Sequence, residues 1–410
     1  MLIEFSVENF RSIKDRVTLS MVASKDNSLD SNLIKGALNE DSLLKATAIY
    51  GANASGKTNI IFALGFLRAL VLNSHTHQKG QAIIFTPFKL DKKCLTKPTK
   101  MSVLFIKNNV RYSYNISYDK ESVIEEGLYH YPNNKKAIIF ERSNTNSYKF
   151  NVDEKEQNAI AERTLPNVLY LSKSTQENYQ KTVNAFDWFT NTLQVIGPDE
   201  DLVPKFTIDL LKKDDESKAN ILKALLEADV GIENVSTISK KLSSDQLNFP
   251  PEIKKILMGD KTEIDVDQIQ TLHKGISFDF QTEESDGTRR IFSLIGHWID
   301  ALKNGRVLVV DELDIKLHHL LNLFLIKLFQ DPSQNKTNAQ LVFTTHNLNL
   351  LDQDIFRRDQ IWFTEKNLEV GNTDLYSLIE YSPRKDKDIE RGYLAGRYGA
   401  LPFIKENRIF

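Results

Sequence analysis

Residues 46–59 carry the sequence ATAIYGANASGKTN, and this stretch decides the fold. It contains the pattern G-x-x-x-x-G-K-[ST], which begins at Gly51 and ends at Thr58. The apolar run 46–50 before the pattern predicts a strand. Apolar residues at helical spacing after it predict a helix, namely Ile60, Ile61, Ala63, Leu64, Phe66 and Leu67. This order of strand, loop and helix is the one in which the pattern forms a phosphate-binding P-loop.

The residue types of the loop explain how it would hold phosphate. Gly51 and Gly56 let the backbone turn tightly enough for successive N–H groups to point at one phosphate chain. The helix that begins here adds the positive end of its dipole. Lys57 is expected to reach the β- and γ-phosphates, and Thr58 to offer its hydroxyl to Mg²⁺. The loop therefore predicts a nucleotide-binding protein.

A second strand far downstream, residues 306–312 (RVLVVDE), ends in two carboxylates. Four apolar residues in a row are typical of a central parallel strand that is covered on both faces. Asp311 would lie at the carboxyl end, where ligands bind in open α/β sheets, and would hold Mg²⁺ through water. Glu312 points elsewhere and can orient or deprotonate an attacking water.

Two further segments carry groups that suit a phosphate. Residues 284–290 (ESDGTRR) open a helix, and Ser285 and Gly287 at its start offer a hydroxyl and backbone N–H groups. Residues 341–347 (LVFTTHN) predict another buried strand. It ends near His346, which could hydrogen-bond the γ-phosphate and sense its loss.

Taken together, these motifs resemble the ABC-type ATPases, within them the soluble RecF/SMC/Rad50-like branch and its compact relatives described as AAA-family or AAA15-type ATP-binding proteins. The resemblance implies an α/β fold of the ABC-ATPase head type. Such a P-loop NTPase has a mixed central sheet with helices, an antiparallel β layer and an inserted helical lobe. The matching segments are residues 5–13 (FSVENFRSI), the P-loop with Asn53, residues 285–287, residues 309–314 (VVDELD), residues 344–347 (TTHN) and residues 392–402 (GYLAGRYGALP).

ATP and Mg²⁺ are the cofactors that the resemblance implies. Glu312, His346 and Lys57 would be the catalytic residues, and Thr58, Asp311 and a glutamine would hold the metal. Gln176, shortly after the apolar run 168–171, is the candidate for that glutamine. The implied nucleotide contacts are Gly51, Ala52, Asn53, Ala54, Ser55, Gly56, Lys57, Thr58, Asn59, Arg11, Gln176, Ser285 and Gly287.

The resemblance also implies a homo-oligomer built from dimer units. Ser285 and Gly287 would contact the γ-phosphate of the nucleotide held by another subunit, and Asp314 would couple the two sites. We call residues 284–290 the signature segment. It lacks two adjacent glycines and a preceding leucine, so transporter-type ATPases fit less well, and the rate of hydrolysis is left open.

Composition narrows the class of protein. The 410 residues carry a formal net charge of −2, so the overall field attracts neither nucleic acid nor an acidic membrane strongly. Cys94 is the only cysteine, which excludes an internal disulfide and indicates a reducing, cytoplasmic compartment. Glu4 and Glu8 stand where a signal peptide would need a basic start and an apolar core. The longest apolar stretch, 60–72, is too short to span a bilayer, so we expect no membrane partner.

Periodicity and helix breakers predict three parts. Residues 1–175 form an N-terminal ATPase lobe, with alternating strands between about 82 and 150 and hairpin turns at 107–109 and 132–134. Residues 176–274 predict an inserted helical lobe, too short for long coiled-coil arms. Residues 275–410 form a C-terminal ATPase lobe with the signature segment, the acidic strand and the histidine.

Two classes of function stay open at this stage. By resemblance, the chain is expected to be the sensor ATPase of a bacterial anti-phage system with a separate toxin or nuclease partner. The alternative is a DNA-repair or recombination ATPase that grips duplex DNA with a closed dimer. A local basic stripe would favour DNA binding, and its candidates are Lys35, Lys45, Arg68, Lys92, Lys93 and Lys97.

Overall fold

The structure is a computed structural model that describes residues 1–38, 41–197, 204–243, 263–381 and 388–402. The chain divides into two compact units. The first unit comprises 1–198, 301–315 and 322–410, and the second comprises 199–300 and 316–321. These limits differ from the predicted lobes 1–175, 176–274 and 275–410, which stay a proposal about domain organisation.

The strands are numbered along the chain. They are β1 (Leu2–Glu8), β2 (Val17–Ser20), β3 (Leu33–Leu38), β4 (Asp41–Leu44), β5 (Ala46–Tyr50), β6 (Thr99–Lys107), β7 (Val110–Tyr118), β8 (Val123–His130), β9 (Ala137–Ser143), β10 (Ser147–Phe150), β11 (Leu193–Ile196), β12 (Asn234–Ser243), β13 (Glu263–His273), β14 (Ile276–Asp279), β15 (Val307–Val310), β16 (Gln340–Thr344), β17 (Ile361–Lys366) and β18 (Thr373–Ser377).

The α-helices of the described residues share no single face or sheet. They are Lys57–Asn73, Glu154–Glu162, Tyr170–Gln176, Gln180–Asp187, Lys205–Lys213, Asp215–Glu227, Asp286–Asn304, His319–Gln330 and Ile389–Leu394. Each described helix is too short or too polar to cross a bilayer.

The first unit is built around a six-stranded mixed sheet in the order β11-β15-β16-β5-β17-β18. Strands β11 to β17 in this order run parallel, and β18 pairs antiparallel with β17. All residues of β5, β15 and β16 are buried, as the apolar runs predict for central strands. Their carboxyl ends therefore meet at one edge, which is where the P-loop begins.

A second, seven-stranded sheet is antiparallel throughout, in the order β10-β9-β8-β7-β6-β1-β2. The two predicted hairpins are present, joining β6 to β7 and β8 to β9. Asn108 and Asn109 in the first turn have φ of +50° and +59°, which asparagine tolerates better than most residues. The predicted α/β P-loop fold with an antiparallel β layer is thus confirmed.

One hydrophobic core connects the P-loop helix 57–73 with both large sheets. Leu64 and Leu67 of this helix are buried together with Val309 and Val342 of the mixed sheet. Phe105 of the antiparallel sheet also belongs to this core, where it stacks on a tryptophan with ring centroids 4.4 Å apart. Burial of large apolar side chains on both sides fixes the direction of the helix and so of its amino end.

The second unit contains the helices 205–213 and 215–227 and a small sheet, β12-β13-β14. The helical prediction for 176–274 is therefore wrong for β12 and β13. Both segments are rich in charge, which favoured a helix surface, but they also carry β-branched residues such as Val235, Ile238, Ile264 and Val266. Such side chains fit the pleated surface of a strand better than a helix.

Candidate functional site

The P-loop lies at the carboxyl end of β5, in the first unit. The helix begins at Lys57, with Gly56 as its N-cap at φ +110° and with no side chain capping it. The first N–H groups of a helix have no partner within the helix, so here they face the loop. Asn53, Ala54 and Thr58 are exposed, while Ser55 and Lys57 are buried. The arrangement is that of a cradle for an anion.

Both glycines of the P-loop are required by close packing. A Cβ at Gly51 would lie 2.4 Å from the Thr364 carbonyl oxygen, and a Cβ at Gly56 would lie 2.1 Å from Thr373 Oγ1. Thr364 belongs to β17 and Thr373 begins β18. These two strands therefore form a back wall on which the loop rests, and only glycine fits between them.

Hydroxyl groups fasten the loop to this wall. Thr364 Oγ1 lies 2.7 Å from Ser55 Oγ, and Thr373 Oγ1 donates to the Ser55 carbonyl oxygen at 2.8 Å. Ser12 Oγ lies 2.8 Å from Thr373 Oγ1 and accepts from Asn59 Nδ2 at 2.7 Å. Sequence reasoning missed both threonines, because they lie about 300 residues from the loop and no local pattern marks them.

The Lys57 ammonium is held by the loop itself. Its Nζ donates to the carbonyl oxygens of Gly51 at 2.8 Å and Ala52 at 3.2 Å. Burial lowers the pKa of Lys57, while the nearby carboxylates of Glu312, Asp311 and Asp314 oppose this shift. The structure thus brings the P-loop lysine and the predicted acidic residues into one electrostatic environment.

Asp311 follows the buried strand β15 and is 2 % exposed. Its Oδ1 accepts from Thr344 Oγ1 at 2.6 Å, and the same hydroxyl oxygen accepts from the Glu312 backbone N–H at 2.7 Å. Thr344 is the last residue of β16 and orients the first carboxylate, a contact that sequence reasoning did not identify. Glu312 has φ of +52°, a conformation that residues other than glycine rarely adopt. Backbone strain of this kind is frequent at functional sites.

His346 lies just beyond the carboxyl end of β16, on the same edge of the sheet. Its backbone N–H donates to Asp314 Oδ2 at 3.1 Å. Burial and the positive charge of Lys57 lower the pKa of the imidazole, against the carboxylates of Asp314, Glu312 and Asp311. The ring is therefore biased toward its neutral form near pH 7, in which one nitrogen can accept a proton.

Arg11 approaches the first turn of the P-loop helix. Its NH1 donates to Asn59 Oδ1 at 3.4 Å, and its guanidinium lies 3.5 Å from the centre of the Phe62 ring. The Arg11 backbone has φ of +50° and its N–H donates to the Thr86 carbonyl oxygen at 2.7 Å. This places an exposed cation beside the cradle, where the resemblance predicts a nucleotide contact.

The side chains at the cradle fit a nucleotide-bound Mg²⁺. Within the described ranges, no three His, Cys, Asp or Glu side chains form a metal-binding group. Mg²⁺ commonly takes one or two protein ligands together with phosphate oxygens and water. The exposed Thr58 hydroxyl and the Asp311 carboxylate are of the right kind for that shared mode of binding.

The prediction for Gln176 needs correction. Leu169, just before the helix 170–176, donates its N–H to Ser74 Oγ at 3.2 Å. Ser74 follows the P-loop helix, whose 17 residues span about 25 Å. Gln176 is exposed and accepts from Lys173 Nζ at 3.0 Å, on the far side of that helix from the cradle. The strand that does end beside Asp311 is β11, and residues 198–203 after it lie outside the described residues.

The signature segment belongs to the second unit, whereas the P-loop and Asp311 belong to the first. Ser285 caps the helix 286–304, since its Oγ accepts from the Thr288 N–H at 3.1 Å. A Cβ at Gly287 would lie 3.1 Å from the Lys316 carbonyl oxygen. A hydrogen bond from Arg289 and the charge of Lys316 lower the pKa of Asp286. Ser285 and Asp286 are exposed at the amino end of this helix.

The predicted basic stripe is wrong for at least two of its members. Lys45 is 4 % exposed and its Nζ donates to the Gln330 carbonyl oxygen at 3.3 Å. Arg68 Nε donates to the Phe189 carbonyl oxygen at 2.8 Å. Lys35 is paired with Asp30 at 2.6 Å, which leaves the lysines of 92–97 as the exposed cations of the set without such an acidic partner.

The family model described as "AAA domain, putative AbiEii toxin, Type IV TA system" matches residues 46–352, about three quarters of the chain. This match spans the P-loop, the signature segment, the acidic strand and His346. No curated protein is similar enough to this chain to count as a match.

Several solved structures are similar to the chain over most of their length. The SMC head domain from Thermotoga maritima has 12% identity and a TM-score of 0.41, covering 92% of this chain and 98% of that one. An SmcHead bound to the C-winged helix domain of ScpA has 11% identity and a TM-score of 0.44, covering 93% and 99%. An Smc head with an extended coiled coil, bound to the C-terminal domain of ScpA derived from Pyrococcus furiosus, has 12% and 0.41, covering 93% and 97%. At such values the similarity says nothing about what this chain binds.

Proposed function

Because the chain belongs to this family of AAA-domain proteins, an ATPase family, we propose that it binds ATP with Mg²⁺ and hydrolyses it as a nucleotide-dependent switch. One observation carries the proposal. The phosphate cradle of the P-loop, the two carboxylates after β15 and His346 lie at one edge of one sheet, where Lys57 interacts electrostatically with Glu312, Asp311 and Asp314.

The proposed roles follow from the contacts of each residue. Lys57 exchanges the carbonyl oxygens of Gly51 and Ala52 for phosphate oxygens, and the N–H groups at the start of its helix donate to the same phosphates. Thr58 and Asp311 hold Mg²⁺, with Asp311 oriented by the Thr344 hydroxyl. The threonines of β17 and β18 keep the loop in the shape that receives the phosphates.

Magnesium-bound ATP supplies the phosphoanhydride bond and the neutralised phosphate oxygens that make attack by water feasible. Glu312 accepts the proton of that water as the general base, at the position where its left-handed backbone aims the side chain. His346 donates or accepts a hydrogen bond at the terminal phosphate. Its lowered pKa keeps it neutral, so that it adds no further charge.

We propose further that two copies complete each other's sites. Ser285 and Gly287 of one copy would contact the nucleotide held at Lys57 of another, and Asp314 would connect the two sites through His346, whose N–H it accepts. The exposed amino end of the signature helix has the donors for such a contact. ATP would then favour the associated state, and hydrolysis would release it.

The output of this switch is proposed to be a separate protein. The family description names a toxin and a toxin–antitoxin system, which supports a regulatory ATPase that controls a toxin or nuclease partner in bacterial anti-phage defence. The single, buried cysteine agrees with work in the reducing cytoplasm.

The test combines nucleotide binding, hydrolysis and mass. We expect wild-type protein to bind and hydrolyse ATP, Lys57→Ala to lose both, and Glu312→Gln to bind but hydrolyse at least a hundredfold more slowly. Light scattering with ATP and Mg²⁺ should show a doubled mass, most clearly for Glu312→Gln. Lys79→Ala, an exposed lysine of a loop, is the matched control. ATP binding without any change of mass would refute the switch, and no binding by wild-type protein would refute the ATPase proposal itself.

A further inference from the structure

Two adjoining loops of the first unit present large apolar side chains to solvent. Leu90 and Leu95 are 70% and 45% exposed, and Leu368 and Val370 are 74% and 39% exposed. The loops touch, because Leu90 Cδ1 lies only 2.5 Å from where a Cβ at Gly371 would stand. We call Leu90, Leu95, Leu368 and Val370 the leucine patch.

The turn that carries Leu368 and Val370 is closed by hydrogen bonds. The side-chain oxygen of Asn367 accepts from the N–H groups of Glu369 and Val370, both at 3.0 Å. The Asn367 N–H also donates to the Asn372 carbonyl oxygen at 2.9 Å. This ordered turn holds its apolar side chains outward instead of letting them collapse onto the protein.

The other loop is anchored in the same manner from beneath. Asp91 accepts from the Lys93 N–H at 2.9 Å and pairs with Lys14 at 2.9 Å, capping the short helix 92–96. Cys94 on this helix is 3% exposed, and Asn9 Nδ2 donates to its carbonyl oxygen at 2.9 Å. Leu95, the next residue, is therefore directed away from the anchored side.

The leucine patch has a strongly positive border. Exposed lysines surround it, and the acidic residues in the same segments are Asp91, which is paired, and Glu369. Lys366 also adjoins Gly371, its Cε lying 4.0 Å from the position of a Cβ there. The border lysines are Lys89, Lys92, Lys93, Lys97 and Lys366.

We propose that the leucine patch is a docking surface for an acidic segment of a second polypeptide. Apolar side chains of that segment would cover the leucines, and its carboxylates would pair with the border lysines. Apolar groups held in place before binding lose little conformational entropy when a partner covers them, which favours docking.

The charge and residue types select this occupant over two others. If the patch of one copy met the same patch of another, the lysine borders would face each other and repel. A membrane surface would match the positive charge, but the patch contains no tryptophan, tyrosine or phenylalanine, the side chains that favour the lipid interface.

The patch is connected to the phosphate cradle through covalent neighbours. Thr373, two residues after Gly371, donates to the Ser55 carbonyl oxygen of the P-loop, and its N–H donates to the Ser12 carbonyl oxygen at 2.8 Å. Docking at the patch can therefore influence the loop, although the docking itself does not require ATP hydrolysis.

The experiment measures binding of a short fluorescein-labelled peptide, in which glutamates flank two leucines, to the full chain by fluorescence anisotropy. We expect binding that weakens with salt. The double variant Leu90→Ser/Leu368→Ser should weaken it about thirtyfold and Lys92→Glu/Lys93→Glu about tenfold. Leu226→Ser and Lys79→Glu change equally exposed residues elsewhere and should leave binding as in the wild type. Thermal unfolding checks that each variant is folded.

Four results would overturn the proposal. The first is no binding of the peptide by wild-type protein, or binding that neither double variant weakens. The second is equal binding of a peptide with lysines in place of the glutamates. The third is binding to vesicles of phosphatidylcholine and phosphatidylserine in equal parts with no binding of the peptide. The fourth is a mass, measured by light scattering, that falls in the double variants, which would make the occupant a second copy.

Discussion

The hydrogen bonds behind the P-loop lead to a prediction about Thr373→Val. Asn59 donates to Ser12, and Thr373 donates to the Ser55 carbonyl oxygen, so the proton between the Ser12 and Thr373 hydroxyls comes from Ser12. Both ends of this chain of hydrogen bonds lie on the P-loop or its helix. Valine has nearly the same shape as threonine and removes only the hydroxyl that joins the chain.

The size of the effect follows from burial. Thr373 is 1% exposed and Ser55 is 2% exposed, so water cannot replace the lost hydroxyl. Leaving a buried carbonyl and a hydroxyl without a partner costs about 2 kcal/mol. If this cost falls on the loop conformation that receives phosphate, the dissociation constant for ATP rises about thirtyfold.

The assay is a titration with a fluorescent ATP analogue in the presence of Mg²⁺. Thr373→Ser keeps the hydroxyl and is the control, which we expect to bind within about threefold of the wild type. Thermal unfolding of both variants separates a local loss at the loop from a general loss of stability. Equal affinity of Thr373→Val and wild-type protein would refute the idea that this hydroxyl holds the loop in shape.

Three other predictions concern single sites. Gly56→Ala should abolish binding of the same ATP analogue, because its Cβ would meet a β18 side chain at 2.1 Å, whereas Gly80→Ala, at φ +78° in open space, should bind normally. Glu126→Gln should lower the free energy of unfolding in urea by about 2–4 kcal/mol, because the buried carboxylate accepts two backbone N–H groups at the start of helix 170–176, while the exposed Glu125→Gln should change it by less than about 0.5 kcal/mol. NMR titration should find the His346 pKa below the usual histidine value, and its contribution to stability should decline as the pH falls below that value, since the unfolded chain then binds more protons; an ordinary or raised pKa would contradict this.

The parts of the site that the sequence predicts are those with local patterns. The P-loop, β15 with Asp311 and β16 before His346 all combine an apolar run with a special residue at its end, and the structure has these strands side by side. A buried parallel strand needs a continuous apolar run, so the pattern and the position in the sheet have one physical cause. The roles of these residues in chemistry remain predictions.

The parts that the sequence did not reveal depend on contacts between distant segments. Thr364 and Thr373 are ordinary strand residues until the fold places them behind the glycines of the P-loop. Gln176 had the right neighbours in sequence, but its helix docks at the carboxyl end of the P-loop helix, where Leu169 meets Ser74. A sequence pattern cannot report which end of a helix another element will contact.

The back wall of the P-loop also sets when the site can form during synthesis. The Ser55 carbonyl oxygen and its Thr373 partner are 318 residues apart, so a growing chain carries an unsupported P-loop until β18 has been made. At about 5–20 residues per second, that interval is roughly 15–60 s on the ribosome. A nascent or truncated chain that stops before β18 would therefore hold nucleotide poorly. ATP binding marks a molecule whose translation has passed its last strand.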